Sequence, residues 1–292
     1  MRVRSTNAQS SNGFSVLKRQ AVSCLVFVTC GLAGYASLEG INYVAVRVED
    51  GFIQSVNSYR QVGAIRGLIV GDSHPAYDID PAALGIGWHN FAYPGENLIM
   101  TYMKLKYVLD QGQRPTCLIL SLDYHNLSSY RINGADYSNY LEFDTARTMR
   151  ETIGLKAWSR SLAKKHLPLL SSFNRRQFVE YLMKRLRMLK MGESGVSRTF
   201  TILPNGQLVS LRDGLTTKSL DERVELAAGR YQEQMKTPLV TPVLVEYFRK
   251  ILTLCEDRGI SIIGVQFPLS GSYMELLRTN PDMDQVDQVY DQ

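Results

Sequence analysis

The chain has 292 residues, 45% of them hydrophobic and 21% charged. That is enough to bury one substantial core and too apolar for wholesale disorder. The length suits a single α/β domain with appendages rather than two large domains, and the formal net charge of +5 is mild.

The first segment to stand out is AVSCLVFVTCGLAGYASL, positions 21–38, uncharged and mostly apolar, with Lys18 and Arg19 before it and Glu39 after it. Its length is at the short end for crossing a bilayer, and the basic flank predicts an N-inside signal anchor. Residues 1–20 are then a cytoplasmic tail, and residues from about 45 onward lie outside the cytoplasm, tethered to the cytoplasmic membrane by a single pass. The small residues of LAGYAS keep a cleavable signal peptide as the alternative. A buried core helix fits less well, because such a helix rarely lacks a polar face over five turns. Cys24, Cys30, Cys117 and Cys255 have neither metal-knuckle nor disulfide-framework spacing and read as lone packing thiols.

After a membrane-proximal connector, AIRGLIVG predicts a buried strand that runs directly into Asp72, Ser73, His74 and Pro75. A loop rich in Pro, Gly and Asp is expected from His74 to Tyr93. GENLIMTYMKLKYVLDQG predicts a helix with Leu98, Tyr102, Leu105 and Leu109 at helical spacing and Gly112 at its end. TCLILSL has the continuous apolar text of a central parallel strand, which completes a βαβ unit. From about 128 to 235 the sequence reads as a basic helical insertion carrying Lys164-Lys165-His166, Arg175-Arg176, Lys184-Arg185, Arg187 and Lys190. Such runs are solvated helix faces by default; collectively they could also favour an anionic polymer or lipid headgroups. A hairpin is expected at TFTILPNGQLVS, turned by Asn205 and Gly206. Thr241 and Pro242 start a further helix ended by Gly259, ISIIGVQFP follows as a buried strand, and SGSYMELLRTN as a short helix. The sequence then reads PDMDQVDQVYDQ, where the doubly wound pattern would call for a further strand and loop that the text does not supply.

Strand ends facing polar loops are where open α/β sheets place their sites. A serine at such a strand-to-helix turn meets the backbone N–H groups of the helix start. It becomes a nucleophile when a base removes its proton and donors await the oxyanion; otherwise Asp72-Ser73 is a cap and turn.

Two further stretches weigh on this choice: NFAYPGENL at 90–98 leads into a helix, and ILSLDYHNL at 119–127 is a strand ending in polar residues. With GDSH they resemble blocks I, II and III of the SGNH (GDSL-like) hydrolase superfamily. The likeness is greatest to the membrane-anchored extracytoplasmic branch of alginate O-acetyltransferase-like and teichoic-acid D-alanine transfer proteins. It covers roughly 64–127 and 241–275.

The resemblance implies a three-layer, flavodoxin-like parallel sheet and serine-dependent O-acyl transfer or ester hydrolysis on a surface or exported polysaccharide, with a membrane-bound acyl donor protein as possible partner. Ser73 would be the nucleophile in its Asp72-Ser73 turn, and its own N–H and that of Gly95 would form the oxyanion hole, with Asn126 as a third donor at an uncertain offset. His74 and Tyr93 would contact substrate.

The family's C-terminal Asp-x-x-His has no counterpart here. The four histidines are His74, His89, His125 and His166. Either the chain stops short of its base, or His125, oriented by Asp123, takes the role; as a loop residue His125 would instead bind polar substrate groups. His89 and His166 need no role. A catalytically inactive scaffold or polymer-binding component is the rival expectation. No Walker loop, dinucleotide glycine pattern or zinc-ligand spacing occurs, so the sequence supports no cofactor, no metal and no nucleic-acid partner.

Overall fold

The computed structural model describes residues 10–45, 51–133, 135–166, 179, 183, 200–210, 219–235 and 238–291. Arg175, Arg176, Lys184, Arg185, Arg187 and Lys190 of the basic insertion lie outside them. A 36-residue helix, α1 (Ser10–Ala45), contains the apolar segment, and the 24 residues Lys18–Ile41 are long and apolar enough to cross a membrane. None of that span is buried against the protein, as expected of a helix whose partner is lipid.

The connector yields α2 (Gly51–Gln61), which buries Phe52, Ser55, Val56 and Tyr59 on one face. Then come β1 (Gly67–Val70), α3 (Ser73–Asp78), α4 (Pro81–Leu84), β2 (Trp88–Asn90), α5 (Leu98–Asp110) and β3 (Cys117–Ser121). Asn97 caps α5 by accepting from the Met100 N–H, and Gly112 follows with φ 85°, a conformation glycine supplies cheaply. Between β3 and the last third of the chain lie short 3-10 turns, α6 (Ala146–His166) with a break at Gly154, and the hairpin β4 (Phe200–Ile202) and β5 (Leu208–Ser210). The chain continues through α7 (Leu220–Gln234), α8 (Pro242–Asp257), β6 (Ser261–Val265), α9 (Gly271–Arg278) and α10 (Met283–Tyr290).

The fold is mixed α/β. Four parallel strands are ordered β2-β1-β3-β6, with Leu68 beside His89 and Leu118, and Leu118 beside Ile262. The chain leaves β1 to one side for β2 and returns to its other side for β3. That reversal opens a crevice at the carboxyl ends of β1 and β3. β1 is buried at all four residues, which explains its unbroken apolar text.

Two sequence expectations change, and a stretch without an assigned element gains one. The loop from His74 to Tyr93 contains two short helices and the edge strand β2, whose three residues are too few to show a period. β6, expected to be buried, is largely exposed, with Ile263 48% accessible, because β3 is its one partner among the described residues. The last stretch forms α10, which buries Val286 and Val289. The expected hairpin is present, and its tip docks on β2: the Asn90 N–H donates to the Asn205 carbonyl at 2.8 Å. Gly206 makes this approach possible, since its φ is 86° and a Cβ there would lie 1.9 Å from the Asn90 carbonyl oxygen.

Candidate active site

The site begins at the end of β1. Gly71 has φ 131°, and a Cβ on it would press against Pro75 and Ser121, each at 3.0 Å, so a side-chain-free residue lets the chain turn sharply beside β3. Asp72 then caps α3, with Oδ1 accepting from the His74 N–H at 3.2 Å. Ser73, half-buried, opens α3.

At the end of β3 a 3-10 turn starts at Tyr124 and places Asp123 and His125 opposite this cap. The two ends are cross-linked. His74 Nδ1 lies 2.7 Å from Asp123 Oδ2, and His125 Nε2 lies 3.0 Å from Asp72 Oδ2. Each strand end thus contributes Asp-x-His, and each aspartate holds the histidine of the other. The two imidazoles meet edge to face with centroids 6.0 Å apart.

Both carboxylates are fully engaged. Asp123 also accepts from Ser121 Oγ at 2.8 Å and from the Phe267 N–H at 3.1 Å, and Tyr290 of α10 donates to its carbonyl at 3.1 Å. Asp72 Oδ2 additionally accepts from Arg131 Nη2 at 3.0 Å. Burial by itself would raise the Asp72 pKa; the His125 hydrogen bond and the Arg131 charge outweigh it and hold the carboxyl at about 2. The Asp123 hydrogen bond raises the His74 pKa, against the opposing effect of burial and with help from the charges of Asp123, Asp72 and Asp78.

His74 and His125 form part of the wall of a cleft of 230 Å³, completed by Arg223, Arg230 and Gln234 of α7 and by Tyr273 of α9. Ser73 is not one of its walls and adjoins it in the same turn as His74. Larger grooves of 440 Å³ run between α2 and the hairpin and along α5 and α8. Neither is lined by a histidine; the smaller cleft holds His74 and His125.

Asp72, His74 and Asp123 place one ligand-type atom each within 4.8 Å of one another. Those atoms are already used by the crossed pairs, and the Arg131 guanidinium stands 3.0 Å from Asp72. A cation would have to sit beside that positive charge, so the donor set fits a hydrogen-bonded network better than a metal.

The remaining sequence-derived candidates divide. Gly95 is exposed in a turn with φ 84°, and its N–H is unclaimed among the described residues. Asn126 is buried, and its Nδ2 donates to Ser121 O and Ser121 Oγ, each at 3.2 Å, which commits the amide to the strand end. Tyr93 packs edge-on against Phe52 with centroids 5.3 Å apart. Asp123, expected to orient His125, holds His74 instead: β3 stops at Ser121, so residues 123 and 125 do not share a strand face. His89 is fully buried among Tyr59 and Phe91, and His166 is exposed at the end of α6. Compared with known proteins, the chain matches no family model, no curated protein and no solved structure.

Arg131, Arg223, Arg230 and Tyr290 escaped the sequence reading. The repeated Asp-x-His at two neighbouring strand ends was legible; the arginines lie on a 3-10 turn and a solvated helix without any local mark.

Proposed function

We propose that the chain is a membrane-tethered, SGNH-type serine enzyme that transfers an O-acyl group to an extracytoplasmic polysaccharide or hydrolyses such an ester. The observation that supports this most is the placement of Ser73. It opens the helix after β1, at the reversal point of the sheet, between Asp72 and His74, which are each held in a crossed Asp–His pair.

In this reading Ser73 Oγ attacks the acyl carbonyl and its proton passes to a cleft histidine. The Ser73 and Gly95 N–H groups receive the oxyanion. The adduct collapses to an acyl-serine as the bond to the donor's oxygen or sulfur breaks, and that atom leaves with the proton from the histidine. The acceptor hydroxyl, or water in hydrolysis, then attacks the acyl-serine, and its proton passes through the histidine back to Ser73 as the acyl group departs. The acyl group comes from a membrane-bound donor protein, and α1 keeps the site on the periplasmic or extracellular side of the cytoplasmic membrane, within the donor's reach. Arg223 and Arg230, two helical turns apart on the cleft wall, suit a polymer bearing negative charge.

A second reading has its own observation: among the described residues no histidine accepts a hydrogen bond from Ser73 Oγ. It makes the protein a non-catalytic polymer-binding component of a modification complex. Labelling the detergent-solubilised protein with a fluorophosphonate separates the two. Labelling that vanishes in Ser73→Ala and falls in His74→Gln or His125→Gln is the expected result; a folded wild-type protein that takes no label leaves the binding role.

A further inference from the structure

We infer that Arg131 is the positioning residue of this site, locking the loop that carries Gly95 to the turn that carries Ser73, a role that rests on Ser73 being the nucleophile. The two halves of the oxyanion hole come from separate segments, and one guanidinium joins them. Arg131 Nη2 donates both to Asp72 Oδ2, at 3.0 Å, and to the carbonyl of Glu96. Asp72 directly precedes Ser73, and Glu96 directly follows Gly95.

The clamp is closed from the other side. Asn97 Nδ2 donates to the Arg131 carbonyl at 2.8 Å while Asn97 Oδ1 caps α5, so the 3-10 turn and the Gly95 loop hold each other through side chain and backbone. The loop has its own tether to β1 through the Tyr93 N–H and the Gly71 carbonyl, 3.0 Å apart. The turn around Gly95 is closed by the Glu96 N–H donating to the Tyr93 carbonyl at 3.2 Å, and Arg131 ties that closed turn to Asp72.

The Arg131 side chain is 7% exposed and Asp72 1%, so water screens their attraction little. Both bonds come from Nη2, while Nε is buried with no partner among the described residues, so a lysine ammonium, with three donors on one nitrogen, should keep part of the bridge. Glu96 gives the loop a second anchor, since its carboxyl pairs with buried Lys104 and accepts from Tyr140 Oη at 2.6 Å. That anchor holds the Glu96 side chain, whereas Arg131 holds the Glu96 carbonyl, one residue past Gly95.

The test uses the full chain in detergent, with Arg131→Gln and Arg131→Lys beside wild type. Amide hydrogen exchange is compared between residues 91–97 and β3, and kcat and KM are measured on p-nitrophenyl acetate. In Arg131→Gln, exchange in the loop should rise by about tenfold, the size of one lost charge-assisted hydrogen bond, with β3 unchanged. The value of kcat should fall by at least about tenfold with KM within about twofold, and Arg131→Lys should fall between. Unchanged loop exchange, or equal acceleration in β3, overturns the positioning role. Faster loop exchange with wild-type kcat overturns its link to the reaction. A wild type without turnover removes the nucleophile reading, and the exchange comparison still decides whether Arg131 locks the loop.

Discussion

Acidification should unfold this protein partly through one histidine remote from the cleft. His89 on β2 is fully buried, neither ring nitrogen has a hydrogen-bond partner among the described residues, and it packs against the rings of Tyr59 and Phe91. Burial, aided by the charge of Lys104, lowers its pKa from the ordinary 6.5 to about 4. The folded state therefore holds His89 neutral where the unfolded chain binds a proton. Its stabilising effect is complete above pH 6.5 and is lost as the pH falls toward 4. At about 1.4 kcal/mol per pH unit the gap corresponds to about 3 kcal/mol, a large share of a domain's stability. Urea unfolding between pH 7 and 4, followed by the fluorescence of Trp88 and Trp158, measures it when wild type is compared with His89→Leu. The difference between the two proteins is the quantity to read. Glu96, raised to about 7 chiefly by burial, titrates in the same window with opposite sign, since its protonation favours the folded state. At pH 7 the variant should match wild type within about 1 kcal/mol, because leucine removes two unpaired polar atoms along with the ring. Wild type should fall below it by about 3 kcal/mol at pH 4. Parallel curves would show that His89 is protonated in the folded state, and the reasoning would fail.

Gly206→Ala forces a β-carbon onto the Asn90 carbonyl in a left-handed conformation; it should cost at least about 2 kcal/mol in urea unfolding and bring the His89 titration closer to 6.5 as the hairpin tip lifts. Asp72→Asn leaves the Arg131 guanidinium buried without its counter-charge and should cost about 3–5 kcal/mol at pH 7. With its pKa held at about 2 against an ordinary 3.8, Asp72 stabilises wild type above pH 3.8 and ceases to as the pH falls through 2, so the gap between the two proteins should narrow in acid by about 2 kcal/mol. Leu32→Arg places a charge in the middle of the apolar span at an insertion cost of about 3 kcal/mol; carbonate extraction of membranes should release a larger fraction of the variant than of wild type.

The sequence was informative where burial is continuous or periodic. β1, β3, α5 and α8 lie where apolar runs and caps put them, since each is covered by the sheet or the core. It misled at β6, whose apolar text reads as interior although its strand has a partner on one side only among the described residues. α10 was readable in principle: Met283, Val286, Val289 and Tyr290 recur at helical spacing, masked by the polar residues between them. For the candidate site, the sequence located Ser73, Asp72, Asp123 and His125 at two strand ends. It could not tell which aspartate serves which histidine, because that depends on where β3 stops.

The crossing has a consequence for how the site can be dissected. Had each aspartate held the histidine of its own segment, either turn could be altered without disturbing the other. Here Asp72 caps α3 through one oxygen while gripping His125 and Arg131 through the other, and Asp123 bonds Ser121, the Phe267 N–H and His74 together. Truncating either aspartate releases a cap or a strand end as well as a histidine, so lost activity in an alanine variant would not separate catalysis from folding. The histidines are the better probes. His74 has a side chain 30% exposed and His125 7%, so replacing His74 by glutamine removes a group at the cleft wall, whereas replacing His125 also disturbs a buried ion-paired carboxylate. A stability loss confined to the His125 variant, with activity lost in both, would assign the anchoring role to the His125–Asp72 pair and the chemistry to the more open His74–Asp123 pair.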